Sequence, residues 1–187
     1  RFPAIRCCIV SAIGKQDITY FNKNAKLAVL WTQDKLTPAN KDFLEARPLF
    51  YKGENAFFVH SAPSEPIMWK YILNDYAAFE EFDSFEEKVC FIGHSHIPII
   101  YEFTPGVNLA SRKSEFIDMG ENERYIINVG SVGQPRDGDS RLSFGIFDSE
   151  KMRFSIVRIE YDFKKTQDKI FAAGLPELLA IRLDGGY

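Results

Sequence analysis

The chain has 187 residues, of which 45% are hydrophobic, and a formal net charge of -3 at pH 7. This length and apolar content predict a single domain, residues 1–187, with a sizeable core. The acidic balance argues against the clustered basic surface that nucleic acids and anionic membranes attract, so neither is a favoured partner. No run of about 20 apolar residues and no long apolar signal core occurs, which predicts a soluble, cytoplasmic protein.

The cysteines predict no disulfide framework. There are three, an odd number, and Cys7 and Cys8 are adjacent, where ordinary disulfide geometry is hard to reach. We therefore interpret all three as reduced core residues.

The first third of the chain reads as alternating strand and helix signals. Ile5–Val10 is a short apolar run with β-branched residues, typical of a buried strand. Asn22 can cap a helix whose apolar residues recur on one face, and Thr37-Pro38 is a helix start. Ala56–Val59 predicts a strand that ends at His60, because the following proline-rich residues cannot continue it.

The remainder predicts a second sheet and a helical end. A helical pattern fills Trp69–Lys88, with an interruption near residues 82–84, and Val89–Ile92 is a buried strand that leads into Gly93-His94-Ser95-His96. From Pro98 onward the pattern is typical of hairpins. The predicted elements there are strands at Ile99–Phe103, Tyr125–Val129, Leu142–Asp148 and Phe154–Tyr161, a helix at Phe163–Ala173 capped by Gly174, and a short helix after Pro176.

The histidines of the chain all follow predicted strand ends. His60 follows one strand, and His94 and His96 follow another. Imidazole is the commonest protein ligand for catalytic divalent metals. Extended residues two apart share a face but stay about 7 Å apart, so His94 and His96 must lie on a bend if both rings face one cavity. The sequence therefore predicts a metal site formed by His60, His94 and His96.

Longer motifs around these histidines indicate a family. Gly93-His94-Ser95-His96-Ile97-Pro98 is followed by the loop Asn128–Asp139, which contains Gly130-Ser131-Val132-Gly133-Gln134-Pro135-Arg136. Together they resemble the calcineurin-like metallophosphoesterase superfamily, and more narrowly the predicted phosphodiesterases related to diadenosine tetraphosphatases. The likeness extends from about Ala12 to Leu183.

The resemblance implies a fold and a chemistry. The fold is an α/β (α+β) sandwich of two packed mixed β-sheets flanked by helices. Its activity is hydrolysis of a phosphodiester or a nucleotide-type phosphoanhydride in a small phosphorylated substrate, with two divalent metal ions (Mn, Fe, Ni or Zn) as cofactors. By the same resemblance His60, His94 and His96 are metal ligands, while Gln134 and Arg136 lie in a loop beside the site, where a guanidinium can hold phosphate bidentately.

The carboxylate half of such a site is missing from the sequence. The family carries Asp-x-His, Gly-Asp and Gly-Asn-His-Asp motifs, and none of them occurs here; Asp17, Asp137 and Asp139 do not occupy matching positions. Two dications about 3.5 Å apart repel by about 19 kcal/mol at an effective dielectric constant of about 20, which neutral imidazoles cannot offset. We therefore predict a gap or deletion near residues 10–12, with N-terminal strands missing.

Two other functions stay open at this point. A phosphoesterase fold without carboxylates can be an inactive binding scaffold, with Tyr51, Trp69 or Tyr101 on a partner surface, although core packing is the default role of such residues. Alternatively, three imidazoles can hold a single zinc ion with an open position for water. The sequence identifies no catalytic acid or base and leaves the oligomeric state open.

Overall fold

The structure is a computed structural model that describes residues 9–15 and 17–187. Its helices are α1 (Ile9–Ala12), α2 (Lys23–Lys35), α3 (Pro38–Glu45), α4 (Asp75–Glu81), α5 (Phe163–Ala172) and α6 (Leu178–Gly185), with 3₁₀ turns at Pro66–Met68 and Phe82–Ser84. Its strands are β1 (Phe50–Lys52), β2 (Ala56–Val59), β3 (Val89–Ile92), β4 (Ile99–Thr104), β5 (Asn108–Arg112), β6 (Phe116–Asp118), β7 (Arg124–Asn128), β8 (Leu142–Asp148) and β9 (Arg153–Ile159).

The strands form two sheets. The larger has the order β1-β2-β3-β7-β4-β5, and the smaller has the order β6-β9-β8. In the larger sheet β2, β3 and β7 are parallel, and the other pairings are antiparallel. The predicted two-sheet fold with flanking helices is confirmed, although β4 and β7 join the first sheet rather than the second.

The central strands are buried on both faces, and their side chains alternate between two cores. Phe57, Val59, Cys90 and Ile92 point to one core, shared with residues of α4 and the 3₁₀ turn after it. Val89 and Phe91 point to the other, which contains Phe154 and Ile156 of the smaller sheet. Both faces of β2 and β3 are thus covered, so the ends of these strands are held in fixed positions.

Most predicted elements are confirmed. Strands β2 and β3 have the predicted bounds, and Asn22 and Thr37 cap α2 and α3 through side-chain oxygens. Gly174 adopts a positive φ of 66° after α5. No helix in the described ranges has the length and apolar character needed to cross a membrane.

Two predictions at the element level are wrong. Ile9 and Val10 belong to helix α1 rather than to a strand. The rest of the predicted strand, Ile5–Cys8, lies outside the described residues, and so do the predictions for Cys7 and Cys8. The helical pattern at Trp69–Lys88 yields only α4 and the turn after it, because Trp69 has a left-handed backbone (φ 57°) that helices do not accommodate. Cys90 is a free, buried thiol, as predicted.

Gly130 follows β7 at a position that only glycine fits. Its φ is 80°, and a Cβ atom would lie 2.7 Å from Ser143 Oγ and 2.8 Å from Pro98 Cγ. We expect Gly130→Ala to lower the free energy of unfolding by about 2–4 kcal/mol, from the left-handed backbone and from overpacking. Urea denaturation measures this loss. Gly133→Ala is the matched control, since a Cβ there meets no atom within 4 Å; equal losses in both variants would contradict the steric argument.

Candidate functional site

Two parallel strands bring the histidines together. His60 directly follows β2, and Gly93-His94 directly follows its neighbour β3, so both lie at the same edge of the sheet. The Gly93 amide donates to the His60 carbonyl oxygen at 2.9 Å. The rings of His60 and His94 meet edge to face, with centroids 5.3 Å apart. The two strand ends at which the sequence places these histidines therefore adjoin.

The segment from Gly93 to His96 bends sharply. His94 and His96 have left-handed backbones, with φ of 63° and 61°, and the Ser95 amide donates to the Gly93 carbonyl at 2.7 Å. A left-handed backbone costs a residue with a Cβ about 1–2 kcal/mol. The predicted bend is present, and the chain retains it at two non-glycine positions.

Asn128 at the end of β7 holds this bend in place. It pairs with Ile92 in the parallel ladder and is fully buried. Its amide nitrogen donates to the Gly93 carbonyl and to Ser95 Oγ, and its amide oxygen accepts from the Gly130 amide. Sequence reasoning assigned it no role, although a polar residue closing an apolar strand was the available signal.

Main-chain carbonyls fix two of the rings. His94 Nε2 lies 2.9 Å from the Trp69 carbonyl oxygen, and His96 Nδ1 lies 2.7 Å from that of Gln134. A carbonyl only accepts, so these nitrogens carry the hydrogen, and the other nitrogen of each ring keeps a lone pair. His60 Nε2 is buried without a hydrogen-bond partner among the described residues. Carbonyl-anchored imidazoles of this kind are typical of metal ligands.

All three imidazoles favour the neutral form. Burial, followed by the nearby His94 and His96, lowers the pKa of His60 to about 3. Burial and the charge of Arg136 lower the pKa of His96 to about 4, and burial also lowers the pKa of His94. Neutral rings are the state that binds a metal cation.

These residues fit only part of a metal centre. Within the described residues, no group of three or more His, Cys, Asp or Glu side chains is arranged to hold an ion. The unpartnered His60 nitrogen and the anchored rings suit metal ligation, but the carboxylates that a pair of dications needs are not beside them. A zinc ion held by all three histidines is likewise not supported by this arrangement.

Gln134 and Arg136 lie against His96. The Gln134 carbonyl accepts from the His96 ring, and the Arg136 amide donates to the His96 carbonyl at 3.2 Å. Arg136 Nε and Nη2 donate to Gln134 Oε1 at 3.3 and 2.9 Å. By contrast, Asp137 forms an ion pair with Arg158, and Asp139 one with Arg141. The two residues predicted to bind substrate are thus at the site, while the neighbouring acids are engaged elsewhere.

Aromatic side chains that the sequence did not assign to the site cover His94. Tyr71 stacks on the His94 ring, with centroids 4.0 Å apart and an interplanar angle of 19°, and Trp69 lies 5.8 Å from it. Tyr71 is 48% exposed. The alternative role of Tyr101 on a partner surface is wrong, because that residue is fully buried in the core.

An apolar cavity of about 480 Å³ adjoins the histidines. It lies between the two sheets and reaches His60, Gly93 and His96 at one end. Its apolar lining includes Phe58, Phe91, Val129, Phe144, Phe147 and Phe154. The layers therefore part next to the histidine site instead of closing over it.

The fold and sequence match a solved structure over nearly the whole chain. The crystal structure of a metallophosphoesterase from Sphaerobacter thermophilus superposes with a TM-score of 0.80 and 36% identity, covering 96% of this chain and 74% of that one. The chain belongs to the metallophosphoesterase family. The family resemblance inferred from the histidine motifs is thereby confirmed.

Two further proteins are similar to this chain. An uncharacterised protein of Methanocaldococcus jannaschii is 39% identical over 175 residues, which are 91% of this chain and 70% of that protein. A hypothetical protein from Pyrococcus horikoshii shares the fold, with a TM-score of 0.75 and 18% identity over 98% of this chain and 72% of that one. No family model matches the sequence.

Because burial lowers the histidine pKa values, the free energy of unfolding of the metal-free protein depends on pH. In the unfolded chain His60 binds a proton below about pH 6.5, whereas in the folded chain the His60 ring stays neutral until the pH is far lower. Acid therefore favours unfolding. We expect protonation of His60 alone to lower the free energy of unfolding by about 1–2 kcal/mol between pH 7 and pH 5. Urea denaturation at both pH values tests this. His60→Gln should show a smaller loss, and an unchanged loss in that variant would contradict the assignment.

Proposed function

We propose that this protein is a metal-dependent phosphoesterase that hydrolyses a phosphodiester or a nucleotide-type phosphoanhydride in a small phosphorylated substrate. The observation that carries the proposal is the group of neutral, anchored imidazoles at two adjoining strand ends of a metallophosphoesterase fold. His60, His94 and His96 are the proposed ligands of two divalent ions, drawn from Mn, Fe, Ni and Zn.

The chain's own residues would hold and orient the reacting groups. When bound, divalent ions supply charge for the substrate phosphate and lower the pKa of water. The carbonyls of Trp69 and Gln134 fix which nitrogen of His94 and His96 faces a ligand. Stacking of Tyr71 on His94 keeps that ring in place and shields one of its faces from water.

Arg136 is the proposed phosphate contact. Gln134 Oε1 accepts two of its N–H bonds, which orients the guanidinium beside His96. A guanidinium presents five donors in a planar fork that matches phosphate oxygens. Nη1, for which the described residues show no hydrogen bond, is free to reach a substrate oxygen.

The proposed centre requires carboxylates from elsewhere in the native protein. The relatives at 36% and 39% identity are longer, since the chain spans 74% and 70% of their lengths. We keep the prediction of a gap or deletion near residues 10–12, which lie within α1; the enzyme requires that the gene encodes the Asp-x-His, Gly-Asp and Gly-Asn-His-Asp motifs there. The proposed kinship with diadenosine tetraphosphatases rests on the motifs that the chain does contain, Gly93–Pro98 and Asn128–Asp139.

Hydrolysis of bis(p-nitrophenyl) phosphate by the complete native protein tests the proposal. We expect release of p-nitrophenolate that depends on added metal and stops with a chelator. Absence of turnover with each of manganese, nickel, iron and zinc would overturn the proposal.

An inactive scaffold is the second candidate. It is favoured by the absence of a ligand group for an ion within the described ranges. Sequencing of the source gene separates the two functions, because the enzyme requires the three acidic motifs in the gene and the scaffold does not. Metal analysis of the purified protein gives an independent answer: two equivalents per chain support the enzyme, and none supports the scaffold.

A further inference from the structure

Two arginines near His96 have no carboxylate partner within the described residues. Neither Arg136 nor Arg182 forms an ion pair there; Arg136 donates to Gln134, and Arg182 Nε donates to the Tyr187 carbonyl. Four other arginines are neutralised by an Asp or Glu, in the pairs Arg112–Glu102, Arg141–Asp139, Arg153–Asp118 and Arg158–Asp137, whereas Arg47 and Arg124 donate to main-chain carbonyls.

The loop after His96 and helix α6 bring these two arginines to the same place. The Arg136 amide is bonded to the His96 carbonyl. Two residues further on, the Gly138 amide donates to the Gly186 carbonyl at 2.9 Å, and Gly186 packs so closely that a Cβ there would lie 2.8 Å from the Asp139 main chain. Gly186 caps α6 by donating to the Arg182 carbonyl. The turn that carries Arg182 is therefore docked on the loop that carries Arg136.

The two positive charges act on each other and on the histidine site. Burial and the like charge of Arg136 lower the pKa of Arg182, and Tyr187 and Tyr71 oppose this effect. Arg182 also contributes to the lowered pKa of His96, after burial and Arg136. Partly buried like charges are unfavourable in isolation and become favourable when an anion lies between them.

We propose that Arg182, beside Arg136, forms an anion subsite for a second phosphate of the substrate, beyond the one that Arg136 contacts at the histidines. The inference rests on the proposed function and narrows it. A phosphodiester carries its one charge on the phosphate that reacts, so it leaves a second guanidinium without a partner. A nucleotide-type phosphoanhydride places a further charged phosphate next to the first, and the Arg182 guanidinium can hold it bidentately. The substrate class is therefore the phosphoanhydride.

Calorimetric titration of the metal-free full-length protein with inorganic pyrophosphate tests this subsite. We expect Arg182→Gln to weaken binding by about tenfold or more, as for loss of a charged hydrogen-bond donor. Arg141→Gln is the matched control: it also removes one positive charge, from the loop that carries Arg136, but at a residue already paired with Asp139. We expect it to change the affinity by less than about twofold.

A conservative variant guards against a folding defect. Arg182→Lys keeps the charge but lacks the planar fork, so we expect an affinity between those of the wild type and Arg182→Gln, with an unchanged melting temperature. Equal weakening by Arg182→Gln and Arg141→Gln would show that only net charge matters and would overturn the subsite. So would absence of pyrophosphate binding to the wild type.

The subsite and the proposed function can fail separately. If pyrophosphate binding depends on Arg182 but no ester is hydrolysed with any metal, the subsite is supported and the proposed function is wrong. If bis(p-nitrophenyl) phosphate is hydrolysed but pyrophosphate binding ignores Arg182, the function is supported and the subsite is wrong.

Discussion

Replacing His96 with glutamine is expected to lower metal-dependent turnover of bis(p-nitrophenyl) phosphate by about a hundredfold or more. Loss of a hydrogen bond that merely orients a metal ligand already costs about 10–100-fold, and His96→Gln removes the proposed ligand itself. Because Nδ1 of His96 is anchored to the Gln134 carbonyl, Nε2 is the proposed coordinating atom. Measurement of kcat/KM at saturating manganese, with metal content from mass spectrometry, separates lost metal from lost chemistry.

A glutamine introduced far from the site is the control for this substitution. Val107 is 79% exposed in the connection between β4 and β5, and Val107→Gln is expected to retain full turnover. If His96→Gln also keeps full turnover and its full metal content, His96 is not a ligand and the proposed centre is wrong.

Asn128→Ala is expected to lower the free energy of unfolding by about 3 kcal/mol. The variant removes three hydrogen bonds, each worth about 0.5–1.5 kcal/mol, and leaves the Gly130 amide without its partner, which costs about 1–3 kcal/mol; the Gly93 carbonyl still accepts from the Ser95 amide. Urea denaturation of the metal-free protein at pH 7 measures the loss. A second effect follows for the site, because the bend that carries His94 and His96 loses its anchor, so metal affinity should fall as well.

Asn122 offers the same substitution without the contacts. It is exposed in the turn before β7, and Asn122→Ala is expected to change stability by less than about 0.5 kcal/mol. A wild-type denaturation midpoint for Asn128→Ala would show that the three hydrogen bonds of Asn128 do not hold the bend.

The sequence predicted those parts of the fold where local signals and burial agree. The bounds of β2 and β3 and the caps at Asn22 and Thr37 follow from apolar runs and cap residues alone. Strands β1, β5 and β6 were missed, since they are only three to five residues long and largely exposed. The apolar spacing at residues 69–73 is typical of a helix, but a left-handed Trp69 beside the site overrides it.

The histidine positions could be predicted for the same reason: a motif marks them within a few residues of a strand end. The roles of Tyr71 and Arg182 could not be predicted, because each residue approaches the site from a separate element, and that of Asn128 was missed although a polar residue closes an apolar strand there. Their roles depend on strand order, on the turn after Pro66 and on the docking of α6 against residues 138–139. Such long-range proximity leaves no periodic trace in the chain.

The left-handed backbones of His94 and His96 set stability against activity at these two positions. Glycine adopts this conformation at no steric cost, so a glycine there would have less backbone strain than the native histidine. Selection for thermal stability alone would therefore favour glycine at both positions, and the proposed metal ligands would be lost. Both positions carry an imidazole instead. Attempts to stabilise this protein by mutation should therefore leave His94 and His96 unchanged.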